Sequence, residues 1–130
     1  MRPEYQTTIL NDQGLRGIVK VSDGTNFVTS GPHDNDDKNN PEQLIGAALA
    51  TCLGATLEYI EKKEQLPAVS KVEVNVQQFL DKKGYKFYID AKVSISGVDS
   101  NKAQEMLDEA ETRCPVAKLL KNSDTVKIHL

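Results

Sequence analysis

The feature that most constrains this chain is a run of fourteen positions without a charge, residues 44–57 (Leu-Ile-Gly-Ala-Ala-Leu-Ala-Thr-Cys-Leu-Gly-Ala-Thr-Leu), set directly after Asn40-Pro41-Glu42. Asn40 is a good N-cap, Pro41 suits the first helical position, and Glu42 places an acid at the positive end of the helix dipole. Together they predict a helix that begins there and runs to about Glu64, charged from Glu58 onward. The run is apolar on every side, so the helix is expected to be buried all round, and the run is too short to span a membrane. Gly46, Ala47, Ala50 and Gly54 would let a second backbone approach closely, although each glycine costs the helix about 1 kcal/mol relative to alanine.

Strand patterns flank this helix. Residues 5–10 and 16–22 read as a hairpin across the turn Asn11-Asp12-Gln13-Gly14, and 26–29 supplies a third short strand after Asp23-Gly24. Residues 31–40 carry almost no apolar side chain and several turn formers, so an exposed, mobile loop is expected. Beyond Leu66-Pro67, residues 69–80 and 85–96 form a second hairpin around Asp81-Lys82-Lys83-Gly84. Here Val72, Val74 and Val76 alternate with Glu73 and Asn75, the period of a sheet with one buried face. Ala103, Met106, Leu107 and Ala110 mark an amphipathic helix over 100–112. Cys114-Pro115 interrupts it, a short helix follows over 116–121, and 125–130 closes as a strand. The order β-β-β-α-β-β-α-α-β implies an α+β fold, and a length of 130 residues suits one domain, 1–130.

Sixteen Lys plus Arg against nineteen Asp plus Glu give a net charge of −3, which offers no footprint for nucleic acid or for an anionic membrane surface. Met1-Arg2-Pro3-Glu4-Tyr5-Gln6 lacks the apolar core of a secretory signal, so a cytoplasmic protein is expected. Two cysteines are too few for a disulfide-stapled secreted scaffold. With no Cys-x-x-Cys, and with His33 and His129 at unrelated spacings, neither a thioredoxin-like motif nor a zinc site is indicated. Each histidine reads as solvated rather than catalytic. Nucleophile elbows and glycine-rich phosphate loops are absent too.

The chemistry therefore rests on the cysteines. Cys52 lies within the apolar helix, where free cysteine is most often a small core hydrophobe. Cys114 precedes Pro115 and so caps the next helix, a position that can lower a thiol pKa or can simply be a structural corner.

Two motifs carry a resemblance. Asn-Pro-Glu-Gln-Leu-Ile-Gly-Ala-Ala-Leu-Ala-Thr-Cys, residues 40–52, looks like the signature helix of the organic hydroperoxide resistance and osmotically inducible protein C (OsmC-like) family. Cys-Pro-Val-Ala-Lys-Leu-Leu, residues 114–120, is similar to that family's second cysteine motif, and the order of elements agrees along essentially the whole chain. The resemblance implies an OsmC-like fold, with antiparallel sheets packed on a long central helix in an intertwined homodimer whose active sites lie at the subunit interface. It also implies a cysteine peroxidase that needs no metal or organic cofactor and reduces organic hydroperoxides. Position by position, Cys52 would be the peroxidatic thiol, Cys114 the resolving thiol and Glu42 the active-site glutamate. Arg16 would be the arginine from the early strands, although counted back from Ser22-Asp23-Gly24 it sits about one residue from the family's position. The reductant implied is a dithiol, of the lipoyl type.

These groups suit the chemistry. A thiolate within an apolar helix needs a nearby cation, which a guanidinium supplies while also hydrogen-bonding the peroxide, and a glutamate can hold that guanidinium in a bidentate pair. Ten residues separate Glu42 from Cys52, roughly 15 Å along one helix. Either the arginine therefore pairs with a glutamate of the other subunit, or Glu42 is only a helix-start acid. Leu49, Leu53, Leu57 and Phe27 would accept an alkyl tail. The alternatives are a non-peroxidatic member of the same fold that binds a small apolar ligand, or a structural dimer with core cysteines.

Overall fold

The computed structural model describes residues 1–130 and has the order β1 (Ile9–Leu10), β2 (Gly17–Val21), β3 (Asn26–Thr29), α1 (Pro41–Lys63), β4 (Val69–Asp81), β5 (Gly84–Ser96), α2 (Ser100–Arg113), α3 (Pro115–Leu120) and β6 (Val126–His129). The expected α+β order is present, distributed over two compact units, Met1–Leu44 and Ile45–Leu130.

In the first unit β1, β2 and β3 form an antiparallel meander, with Val19 opposite Phe27 and Ile18 opposite Val28. The strands are shorter than the sequence pattern suggests. β2 begins at Gly17, so Arg16 lies in the turn before it rather than in the strand. Most of the apolar side chains of this sheet are exposed, namely Ile9, Leu10, Ile18, Phe27 and Val28, while Val19 and Val21 are half-buried and Thr29 and Ser30 are buried. The polar segment 31–40 is largely exposed, as expected, and is tied down at several points by hydrogen bonds. Asn39 donates its N–H to Val28 O (3.1 Å) and accepts from Ser30 N (3.1 Å). Asp36 Oδ1 accepts from Ser30 Oγ and Lys38 N, both at 2.9 Å. Short acidic side chains satisfy the backbone here without a regular ladder.

In the second unit β4, β5 and β6 form one sheet in that order. β4 and β5 are antiparallel over their full length, pairing Val72 with Val93, Val74 with Ala91 and Val76 with Ile89. β6 joins β5 in parallel, which requires the crossover that α2 and α3 provide. Leu49, Leu53, Leu57 and Ile60 of α1 are completely buried in one core with Ile89, Ala91, Val93, Met106, Leu107 and Ala110. Burying each such leucine is worth roughly 1.5–3 kcal/mol. At Gly46 a methyl would lie 3.2 Å from Val76 Cγ2, so there the missing side chain lets α1 sit close to β4.

The helix is not buried all round. Ala47, Ala48, Thr51, Ala55, Glu58 and Tyr59 are exposed, which leaves a stripe of mostly small, uncharged residues facing outward. By length and composition α1, at 23 residues, is also the one helix able to cross a membrane, but its leucine row is spent on the protein core. Beyond Lys63 the chain turns through Gln65 at φ 53°, with Leu66 N bonded to Glu61 O at 2.9 Å, closing the last carbonyls of the helix. Lys63–Glu109 at 2.8 Å and Lys102–Glu64 at 2.6 Å join the end of α1 to α2.

Candidate active site

Cys114 owes its place to a local rule. The residue before a proline is driven out of the α region, and Cys114 is extended at φ −69°, ψ 115°. It ends α2 by donating its N–H to Ala110 O at 2.8 Å, and begins α3 by accepting from Lys118 N at its carbonyl at 2.9 Å. Its sulfur accepts the Ala117 N–H at 3.4 Å, as an N-cap oxygen would. The side chain is 0% exposed.

A cap position can lower a thiol pKa, but here the balance goes the other way. Burial is the largest influence and pushes the Cys114 thiol upward; direct interaction with the Cys52 side chain adds to this, and the Ala117 amide only partly opposes it. Cys114 is thus a thiol that keeps its proton, lying against Cys52.

Cys52 stands midway along α1, on the border between the buried leucine row and the exposed stripe. It is half-buried and packs against the core to which Cys114 belongs. The next turn fixes its backbone, with Thr56 Oγ1 donating to Cys52 O at 2.8 Å. Both cysteines are free thiols. Fold and packing thus bring together two residues that the sequence keeps far apart.

The charged candidates fall elsewhere. Glu42 occupies the first turn of α1, half-buried and without an ion pair. Arg16 does not pair with it. Its Nε donates to Asp34 Oδ2 at 2.9 Å and its Nη2 to Asp34 Oδ1 at 3.0 Å, a bidentate pair. That contact holds the Asp34 carboxyl below its usual range and raises Arg16 above its own. Asp34 is the residue that sequence reasoning missed. It was one of three acids in the polar 31–40 segment, and nothing local distinguished it.

Leu49, Leu53 and Leu57, expected to receive an alkyl tail, are instead closed in the core and present no free surface. Phe27 is exposed. His129 is also more engaged than expected. Its Nε2 lies 3.0 Å from both carboxylate oxygens of Asp90, and its Nδ1 lies 2.9 Å from Leu130 O. No cluster of His, Cys, Asp or Glu is arranged to hold a metal ion.

The α+β architecture, with Cys52 packed against the core that holds Cys114, has known counterparts. Residues 33–129 match the OsmC-like protein family. The chain is 33% identical over 122 residues to an organic hydroperoxide resistance protein-like protein of Mycoplasma pneumoniae, covering 90% of this chain and 87% of that one. It is 28% identical over 126 residues to the peroxiredoxin OsmC of Escherichia coli, covering 88% and 87%. Among solved structures, a candidate redox protein from Lactobacillus casei superposes with a TM-score of 0.91 at 42% identity, over 99% of this chain and 92% of that one. The organic hydroperoxide resistance protein OhrB of Bacillus subtilis superposes with a TM-score of 0.78 at 29% identity, over 96% of each chain. The protein belongs to the OsmC-like family, and its fold is the OsmC-like α+β fold.

Proposed function

We propose that the protein is a cytoplasmic, thiol-dependent peroxidase that reduces organic hydroperoxides to alcohols. The observation that carries this reading is the packing of a half-buried Cys52 against the core that holds the fully buried Cys114. The relatives named as hydroperoxide resistance proteins and as a peroxiredoxin support it.

The Cys52 thiolate attacks the terminal peroxide oxygen, the O–O bond breaks, and the departing alkoxide takes up a proton to leave as alcohol. Cys52 is then a sulfenic acid. The Cys114 thiol displaces its hydroxyl, which leaves as water, and a Cys52–Cys114 disulfide forms. An external dithiol reduces this bond by exchange and departs as its own disulfide. The division of labour follows from burial. Cys114, held protonated and inaccessible, is suited to resolve rather than to attack, while Cys52 borders the surface. Arg16 supplies the positive charge that the thiolate and the polarised peroxide require. Glu42, in the first turn of α1, is the acid that matches the family's active-site glutamate, and from the partner subunit it is the group that would hold the guanidinium.

The working unit in this reading is a homodimer. The outward stripe Ala47, Ala48, Thr51 and Ala55 is the kind of small-residue surface that two helices can share across a two-fold axis, and the apolar side chains of the β1–β3 sheet are exposed in the single chain. Steady-state consumption of cumene hydroperoxide with a dithiol reductant is the test. Cys52→Ser should abolish turnover, and retained activity in that variant would sink the mechanism.

A further inference from the structure

The carboxylate of Asp34 is engaged on three sides. Besides the two Arg16 contacts at 2.9 and 3.0 Å, its Oδ2 accepts the Gly31 N–H at 2.7 Å. Asp34 returns a backbone bond to Gly31 O at 3.1 Å, so the acid is fixed in a closed turn before it meets the arginine. The turn packs closely around Gly31. A methyl on Gly31 would lie 3.1 Å from Leu15 Cδ2, 3.3 Å from Asp34 Oδ2 and 3.8 Å from Arg16 Nη2. The arginine's own segment is held as well, with Thr29 Oγ1 donating to Leu15 O at 2.9 Å and Asn11 Oδ1 accepting from Gln13 N and Gly14 N at 3.0 Å.

Arg16 itself is an exposed side chain, 67% accessible, whereas Asp34 is 25% accessible. A free arginine on a surface turn samples many rotamers; a bidentate pair with an anchored acid removes most of them. Of five guanidinium N–H groups, Asp34 takes two and leaves about three available to a thiolate or a peroxide. We propose that Asp34 is the positioning residue for Arg16, acting from a closed turn in the same unit. This rests on the reading of Arg16 as the cation of the peroxidase site.

The test compares Asp34→Asn, Asp34→Glu, Arg16→Ala and the Arg16→Ala/Asp34→Asn double variant. Asparagine keeps the shape and an acceptor for the Gly31 N–H while removing the charge. Two readouts apply to each variant: kcat/KM with cumene hydroperoxide, and the pH profile of iodoacetamide alkylation at Cys52. The second would not respond to a merely structural acid. Asp34→Asn should lower kcat/KM by about 10²-fold, the scale of a misplaced catalytic group, and shift the alkylation profile to higher pH. Asp34→Glu should recover part of the loss, and the double variant should be no worse than Arg16→Ala alone. Wild-type turnover in Arg16→Ala would overturn the role of Arg16 itself. An inactive Arg16→Ala beside an Asp34→Asn variant with wild-type turnover and alkylation profile would overturn only the positioning role. An Asp34→Asn variant that loses stability but keeps both readouts in its folded fraction overturns it equally.

Discussion

The thiol of Cys114, completely buried at the junction of α2 and α3, lies against the side chain of Cys52 on α1, and this neighbour raises its pKa further after burial has already done so. Two thiols so placed differ in access, and that difference orders their reactions. At neutral pH, iodoacetamide should label Cys52 well before Cys114, as read by peptide mass spectrometry. Equal labelling of the native protein would contradict the burial of Cys114.

One equivalent of cumene hydroperoxide should remove two hydrogens from the wild-type mass and leave no free thiol. In Cys114→Ser the same treatment should stop at the sulfenic acid on Cys52, trapped by dimedone. A disulfide between two chains in place of the internal one would show that the Cys52–Cys114 contact is not the one used.

His129 gives a pH dependence with a defined sign. Both ring nitrogens face acceptors, Asp90 at Nε2 and Leu130 O at Nδ1, and only the imidazolium donates to both. Its pKa is raised, first by Asp90 and then by Leu130 O, with desolvation and, less, Lys127 opposing. The contribution to stability is therefore fully present below the unfolded value of about 6.5 and is lost as pH rises through the higher folded value. The melting temperature of the wild type should fall over that window relative to His129→Gln. Parallel profiles for the two would remove the His129–Asp90 pair from the account.

Gly97 should resist substitution. It adopts φ +91°, and a methyl there would stand 2.5 Å from Pro67 O. Gly97→Ala is expected to cost about 1–3 kcal/mol from backbone strain, with the clash in addition, measured by urea denaturation.

The exposed stripe of α1 gives a test of assembly. Ala55→Arg places a long cation on a mostly small, uncharged stripe without touching the leucine row. Sedimentation should show a dimer for the wild type and a shift to monomer for the variant, with helical circular dichroism retained. A wild-type monomer would remove the dimer from the proposed function.

Much of the second unit could be read from short-range signals. Pro41 and Glu42 begin α1 where expected, Pro115 breaks the α2–α3 path at Cys114, and the valine alternation of β4 matches its buried face. The first unit was less legible, because its strands are short and its loop is held by acids that look alike in sequence. Asp34 and Asp36 serve different partners, Arg16 and Ser30, and only the folded turn distinguishes them.

The sequence by itself determined the local conformations: an apolar helix with an unambiguous start, and a cysteine that must be extended because a proline follows it. Those outcomes depend on steric and capping rules that act within a few residues. The tertiary structure decided which side of α1 is buried, that β6 runs parallel to β5, that burial raises the Cys114 thiol beside Cys52, and that within the chain Arg16 bonds Asp34. Each of these depends on which distant groups become neighbours, and desolvation and pairing energies exist only once they have.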